Sequence, residues 1–589
     1  MKTKLEIENS CRQKLSYERI IPFYIFVKIA LYSSVTILIY TGISSSLPYY
    51  ILGACSIITD LLAFFVGWNF LRPRFQSSKV LKIILIFVLI TLYTYPIAWD
   101  DIAYGLVLPE IFFERRSFNP ISEFTMFTYF PLIEYSRTAL SYAFGNILQI
   151  FIYRLECLAI FVLAFESLFK IGELIPKSKI NRDENLPYIL MSIFTTVSAF
   201  SVFAFIKPES FIYLCFTFGV YSLLVGDSFR AFAYSFISLP FKATSIFTSL
   251  PVFFLAVISF KRGQRRLKIF EYITLALIIL VTIIWLLHNY KNTGNPVYPF
   301  LQAFFPYASD GVLNGHVYDD VIALLRAQRD VSIRNLYSIK LYLKNILTQL
   351  NFLLIPLLAG IFFICNGKVK AFVTIKFKNL LILILISFLL FLFKLFNEFR
   401  YAYGPVSLIA LTALIIIANT KFLTFSANFK RIIILIIILQ LCFITARNIK
   451  NSSINFSRSY FPMNLSVEQI AEVNCVNSID SPAGRIATFD QTFYLWNAQF
   501  YLLHELNEYI GMYPTSNEVR YAFDKHKVKY ILLRDQYLEQ EHLDSLDFGG
   551  NYRQMPSNVL KRIREVYSLE RVDLPKCSNY SIFLLKPKN

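Results

Sequence analysis

The sequence predicts an α-helical polytopic membrane protein of about eleven to thirteen spanning helices, followed by a small C-terminal α/β domain. Three observations lead there. The 589-residue chain is 56% hydrophobic and only 16% charged, with a mean hydropathy of +0.51, outside the balance of soluble domains. Its apolar residues gather in runs of about 20, the length that crosses a hydrocarbon core. The net charge of +19 lies in short loops between those runs, as the positive-inside bias requires. That placement argues for a lipid bilayer as partner and against nucleic acid. The 59 Phe and 37 Tyr suit lipid-facing and interfacial positions.

In chain order, the apolar runs fall near 20–42, 49–70, 80–97, 146–169, 187–206, 208–226, 243–260, 268–288, 346–365, 379–396, 402–419 and 431–446, with a shorter helix at 229–241. The polar, basic start from Met1 to Arg19 and a first run too long for a signal h-region predict no cleaved secretory signal. With the amino terminus in the cytoplasm, the loops there hold Arg72, Arg74 and Lys79; Lys177, Lys179 and Arg182; Lys261, Arg262, Arg265, Arg266 and Lys268; Lys368, Lys370, Lys376 and Lys378; Lys430 and Arg431. The expectation is a multi-pass protein of the plasma (inner) membrane. A transmembrane domain covers 1–446, with external loops at about 98–138 and 289–337, and a soluble extracytoplasmic domain covers 447–589. Long ordered loops between helices tend to be functional. The piece Ile102–Phe113 is amphipathic and suits the membrane plane.

The tail changes character. Ser466 can cap a helix from Val467 to Ile479 with Gln469 in the capping-box position, and Ser516 can cap another through His526. Gly484–Phe489, Lys529–Leu533 and Ser581–Leu585 read as strands, and strands alternating with helices predict an α/β unit. Of eight cysteines, Cys55, Cys157, Cys215, Cys365 and Cys442 lie in or beside apolar runs and read as packing residues. Cys475 and Cys577 in the polar tail could pair in an oxidising compartment or stand as two free thiols.

Charges at the ends of spans carry the chemistry, because charges within a bilayer are expensive and mark function. Asp100 and Asp101 close the third span on the outside; Lys207 and Glu209 sit in an outer turn; Lys242 follows Leu239-Pro240-Phe241; Glu398, Arg400 and Tyr401 open a late span. The topology puts all of them at one face. A carboxylate there can take the proton of an attacking hydroxyl, while Arg and Lys can neutralise a departing phosphate. Asp100 and Asp101 together could also hold a divalent cation through oxygen ligands. Simpler roles compete: a solvated helix end for the paired Asp, snorkelling for Arg400 and Lys242, a structural polar pair for Arg154 and Glu156, and a solvated loop for His316, Asp319 and Asp320.

At these positions the chain resembles the multi-spanning GT-C glycosyltransferases, in particular the bacterial relatives of the dolichyl-phosphate-mannose protein mannosyltransferases and the aminoarabinose transferases. The resemblance runs in order over roughly 100–405: Asp100-Asp101-x-x-Tyr104 with Leu108-Pro109, Tyr129-Phe130-Pro131-Leu132-Ile133-Glu134, Lys207-Pro208-Glu209, Leu239-Pro240-Phe241-Lys242-Ala243-Thr244, Asn289 with Thr293-Gly294-Asn295-Pro296-Val297-Tyr298-Pro299, and Arg400-Tyr401 with Gly404-Pro405. Two positions depart from it: Gly105 stands where many relatives have His, and Glu209 where Asp is commoner. The resemblance implies a GT-C-like bundle, a polyprenyl-phosphate sugar donor, inversion at the anomeric carbon and transfer to a lipid, glycan or protein acceptor. It also implies a first-loop carboxylate as base, with Lys242 and Arg400 on the donor phosphate and Lys207, Glu209, Tyr401 and Tyr104 around the substrate. Between the two acids, Asp100 is preferred as base and Asp101 as its support. A transporter or flippase, or an O-antigen polymerase or ligase, is the competing reading; the absence of a clear internal duplication weighs against the transporter.

Overall fold

The computed structural model describes residues 2–76, 78–93, 108–118, 131–175, 182–204, 207–242, 245–260, 267–297, 344, 346–366, 375–394, 399–419, 426–451, 474–478, 484–488, 500–502, 515–525, 527–535, 555–572, 577 and 580–588. The chain divides into two compact units. One comprises Met1–Tyr95, Ile133–Thr282 and Tyr342–Lys450, the other Pro96–Leu132, Ile283–Leu341 and Asn451–Asn589.

Each apolar run read from the sequence is helical, the run at 187–206 as two pieces, and Leu132–Tyr142 forms a further helix outside those runs, so the first unit is built of helices. They are α1 (Lys2–Tyr40), α2 (Leu47–Arg74), α3 (Lys79–Tyr93), α5 (Leu132–Tyr142), α6 (Asn146–Leu174), α7 (Arg182–Phe194), α8 (Val197–Ala204), α9 (Glu209–Leu224), α10 (Ser228–Ser238), α11 (Ile246–Ile258) and α12 (Ile269–Thr293), then Leu354–Cys365, Ile375–Lys394, Tyr403–Asn419 and Ser426–Asn451. A short α4 (Leu108–Arg115) belongs to the second unit. Among the described residues six helices are long and apolar enough to cross a membrane, and a seventh span arises if α7 and α8 count as one. Three shorter apolar helices lie at Glu209–Leu224, Ile246–Ile258 and Phe377–Leu392. The protein is a multi-pass membrane protein.

The spacing of small and polar residues decides which helix faces inward. On α2 the buried positions are Tyr49, Gly53, Ser56, Asp60, Ala63, Gly67 and Leu71, a stripe of threes and fours. The opposite face carries Ile51, Ile58, Leu62 and Phe65, exposed as lipid-facing residues are. Close approach replaces hydrophobic exclusion as the packing force between helices in lipid. A Cβ on Gly67 would meet Val162 of α6 at 2.5 Å, and one on Gly360 would meet the Ile409 carbonyl at 2.8 Å. The helix α9 is buried all round from Glu209 to Leu223, so it forms the centre of this unit.

The run at 187–206, read as a single span, is broken. Its two pieces, Asn185–Phe194 and Val197–Ala204, bend by 74° at Thr195 and Thr196. The break is held by polar contacts: Thr196 Oγ1 accepts from the Ala199 amide, capping α8. The Thr195 hydroxyl donates to Gln440 at 2.6 Å, and the Tyr403 hydroxyl donates to the Ile193 carbonyl freed by the bend.

In the second unit a five-stranded sheet runs in the order β2-β1-β3-β5-β4. Its strands are β1 (Arg485–Thr488), β2 (Phe500–Leu502), β3 (Val528–Arg534), β4 (Tyr567–Val572) and β5 (Tyr580–Pro587). The pairs β1–β2 and β1–β3 are parallel, while β3–β5 and β4–β5 are antiparallel. Val519 and Phe523 from the helix Ser516–Lys525, and Val559, Leu560 and Ile563 from Met555–Val566, pack with Ile531, Leu533 and Phe583 of the sheet. This is the α/β unit expected for the tail, with β2, β4 and the helix Met555–Val566 added. Ser516 is the first helical residue rather than a cap, and its hydroxyl donates to Glu565. Of the helix expected at 467–479 only 474–476 falls among the described residues and is helical. Cys475 and Cys577 form a disulfide.

Candidate active site

Three helix-to-helix turns of the first unit bring charged residues together. Lys207 and Pro208 form the turn before α9, and Glu209 opens that helix, where the positive end of its dipole favours a carboxylate. Lys242 follows the one-turn helix Leu239–Phe241 in extended conformation (φ −164°, ψ 139°). Arg400 and Tyr401 lie in the turn Phe399–Ala402 that leads into Tyr403–Asn419. Proline at 240 ends one helix pattern and frees the chain to carry Lys242 sideways.

These residues meet on Glu209. Its Oε1 lies 2.9 Å from Lys242 Nζ and 3.9 Å from Arg400 Nε. Tyr401 lies under both cations, with ring centroid 5.1 Å from Lys242 Nζ and 5.0 Å from the Arg400 guanidinium carbon. Its hydroxyl accepts from Arg400 Nη2 at 3.0 Å. Glu209, Arg400 and Lys207 are buried at 5%, 6% and 3% exposure. Among the described residues Glu209 Oε2 has no hydrogen-bond partner, although it is buried. A small cavity of about 10 Å³, room for about one water, adjoins it and is lined by Ser245, Thr248, Arg400, Tyr401 and Gly404. A buried acceptor of this kind takes a hydroxyl or water donor.

Burial opposes the charge of Lys242, yet the Glu209 carboxylate, with Tyr401 and Glu134, outweighs it and holds the ammonium above its usual range. Glu134, half-buried at the start of α5, belongs to the same electrostatic neighbourhood. Burial pushes its carboxyl above the ordinary carboxylate value, against the opposing pull of Lys242. Among the described residues three cations, Lys207, Lys242 and Arg400, surround Glu209, with Glu134 in the same electrostatic neighbourhood.

A second polar cluster supports the first. Arg137 of α5 donates to the Lys207 carbonyl at 2.6 Å and to Ser210 Oγ at 3.1 Å, while the Tyr153 hydroxyl donates to the same carbonyl at 2.9 Å. Arg137 thereby fixes the turn that carries Glu209. Its Nε pairs with Glu156, whose other oxygen lies 2.6 Å from Lys28 Nζ. Lys28 also reaches Asp60 Oδ2 at 3.0 Å and Ser56 Oγ at 2.7 Å, and Tyr24 donates to Asp60 Oδ1 at 2.9 Å. Arg154 and Glu156, read as a pair, do not pair with each other. Arg154 donates to the carbonyls of Leu92 and Ala204 instead, because residues two apart on a helix point to different faces.

Of the residues singled out in the sequence, Lys242, Glu209, Arg400 and Tyr401 are in contact, and Lys207 lies within electrostatic reach of Glu209. Asp100, Asp101 and Tyr104 lie outside the described residues, as do Glu398, His316, Asp319 and Asp320. Among the described residues no group of three His, Cys, Asp or Glu side chains could hold a metal ion. Sequence reasoning did not single out Lys28 and Asp60, or give a role to Arg137. For Lys28 and Asp60, lone charges inside apolar runs were the available signal.

Fold and site together define a multi-pass membrane protein with a buried cluster of charged residues, Lys242 and Arg400 on Glu209, at the turns between its helices. No family model matches the chain, and no curated protein matches it. Among solved structures it is similar to the oligosaccharyltransferase of Archaeoglobus fulgidus tethered through a disulfide bond to an acceptor peptide containing the NVT sequon. The identity is 10%, over 87% of this chain and 74% of that one, with a TM-score of 0.44.

Proposed function

We propose that the protein is a membrane glycosyltransferase of GT-C type that transfers a sugar from a polyprenyl-phosphate donor to a lipid, glycan or protein acceptor on the extracytoplasmic face of the plasma membrane. The observation that carries this reading is the convergence of Lys242 and Arg400 on buried Glu209, with Tyr401 beneath both cations. Two cations delivered by separate turns, held in place by a carboxylate, form a preorganised receptor for a phosphate.

In the reaction the acceptor hydroxyl attacks the anomeric carbon and its proton passes to a first-loop carboxylate, Asp100 by preference, with Asp101 orienting the acceptor. The bond from the anomeric carbon to the phosphate oxygen breaks, and the lipid phosphate leaves with the bonding pair toward Lys242 and Arg400. Attack opposite the leaving group inverts the configuration. Oε2 of Glu209, without a partner among the described residues, is an acceptor for a donor-sugar hydroxyl. A divalent cation, if used, would bind at Asp100 and Asp101. The disulfide in the tail is consistent with an oxidising, extracytoplasmic compartment.

Sugar transfer in proteoliposomes, with a panel of polyprenyl-phosphate sugars, tests this reading. Asp100→Asn or Asp101→Asn at matched folded yield is expected to lower turnover by about a hundredfold or more, and Lys242→Ala to lower it as well. Turnover equal to wild type in all three would refute the site. A transporter or flippase is favoured by one observation, the helix broken by 74°, since interrupted helices line transporter sites. Lipid scrambling in the same vesicles without donor consumption would establish it.

A further inference from the structure

The first unit holds a second, larger cavity. It measures about 400 Å³ and opens between α1, α2 and the start of α12. Its distance from the Glu209 cluster follows from α9. Glu209 opens that helix, whereas Tyr221, twelve residues on or about 18 Å away, donates to Glu18, the neighbour of the cavity residue Arg19. The cavity therefore lies at the other end of the bundle.

Its lining combines two chemistries. Phe23, Leu62, Val66 and Phe270 supply apolar walls, and Arg19 and Lys268 supply two positive charges. The aromatic wall is formed by contact, Phe23 meeting Phe270 edge-on with centroids 6.4 Å apart and Lys268 Nζ standing 5.6 Å from the Phe270 ring. The nearby carboxylates are engaged elsewhere. Glu271 binds Arg230 at 2.9 Å and accepts from the Tyr234 hydroxyl and the Lys268 amide, and Glu18 accepts from Tyr221. Among the described residues neither Arg19 nor Lys268 forms a salt bridge through its side chain, so their charge stays available to an anion. Leu62 and Phe23 are 60% and 56% exposed on the outer face of their helices. Exposed apolar side chains beside two cations favour an amphiphilic ligand over a purely aqueous one.

We propose that this cavity binds an anionic phospholipid, with its phosphate between Arg19 and Lys268 and an acyl chain along Phe23, Leu62, Val66 and Phe270. Basic pockets between membrane helices recognise anionic headgroups in this way. The volume falls within the range of ligand pockets, about 300–1,000 Å³, and accommodates a headgroup with the first part of a chain. The bound lipid would tie α1, α2 and α12 together at the end remote from the Glu209 cluster.

The test uses the full chain, delipidated in detergent, with phosphatidylglycerol or phosphatidylcholine added back and binding read by native mass spectrometry. Wild type is expected to retain phosphatidylglycerol preferentially. Each cation near a membrane surface contributes about a fivefold factor, so the double substitution Arg19→Gln/Lys268→Gln should weaken phosphatidylglycerol binding by roughly twenty-five-fold and leave phosphatidylcholine unchanged. Thr59→Trp, which fills the cavity from α2 without altering charge, should also displace the lipid. Arg72→Gln/Lys79→Gln, which changes exposed cations outside the cavity, should do neither. Equal retention of the two lipids, unaltered binding in the double variant, or displacement by equimolar inorganic phosphate would each overturn the proposal.

Discussion

Glu156→Gln is the substitution that most directly interrogates the buried charge cluster. Asp60, Lys28, Glu156 and Arg137 are two carboxylates and two cations with a formal sum of zero, and all are at most 2% exposed. Glu156 closes two contacts, to Lys28 at 2.6 Å and to Arg137. Gln leaves the geometry nearly intact but strands one positive charge in the bundle. Two charge-assisted hydrogen bonds at about 1.5–3 kcal/mol each give the same scale as the about 3–5 kcal/mol measured when one partner of a buried pair is removed. For a unit of this size that corresponds to a fall in melting temperature on the order of 4–7 °C. The assay is thermal unfolding of the purified protein in detergent, beside the double variant Arg137→Met/Glu156→Leu. That pair removes both charges and leaves Lys28 with Asp60, so the part of the loss due to the stranded charge should be recovered, while the Arg137 hydrogen bonds to Lys207 and Ser210 are forgone. A fall below about 1.4 °C for Glu156→Gln, equivalent to about 1 kcal/mol, would refute the neutral-cluster argument. A double variant worse than the sum of its singles would refute it equally.

Two further outcomes concern other parts of the chain. Glu134 has a carboxyl raised chiefly by burial, so its charged form is disfavoured in the folded state. The folded protein then holds the proton more tightly than the unfolded chain, and stability falls as pH rises from the ordinary carboxylate value to the raised one. Glu134→Gln should abolish that component of the slope in melting temperature against pH; a parallel slope in wild type and variant would contradict it. Replacing Cys475 and Cys577 by Ser opens a loop of 102 residues. In the chain-entropy treatment such a loop stabilises by about 4–5 kcal/mol, so the C-terminal unit should become markedly more sensitive to protease, and unchanged digestion kinetics would count against that contribution.

Most helices of the first unit were legible because they are long apolar runs, and in α2 even the buried face shows as Gly53, Ser56, Ala63 and Gly67 at helical spacing; α5 (Leu132–Tyr142), short and polar, was not. The break at Thr195–Thr196 was not, because the hydropathy is continuous there. It is set by Gln440 and Tyr403, more than two hundred residues further along the chain. Lys242, Glu209 and Arg400 stood out as charges at span ends, yet only the fold shows them on one carboxylate. Arg137 lies in a polar-looking helix, where nothing local marks it as the anchor of the Lys207 turn. The strand β4, Tyr-Ser-Leu-Glu-Arg-Val, carries charge because it is an edge strand, and β2 has three residues, too few for a periodicity to register.

The division of those four charges also bears on how the chain can enter a bilayer. Lys28 and Asp60 belong to α1 and α2, consecutive helices that contact each other through this very pair. Arg137 and Glu156 belong to α5 and α6, likewise consecutive and likewise joined. A lone ion at mid-bilayer costs about 2.5–3.5 kcal/mol even on insertion scales, but a hairpin that cancels its own charge escapes most of that cost. Lys28 is thus cancelled by Asp60 and Arg137 by Glu156 within consecutive helices. The bond from Lys28 to Glu156 is the ion pair that joins the two pairs, α1 with α2 and α5 with α6.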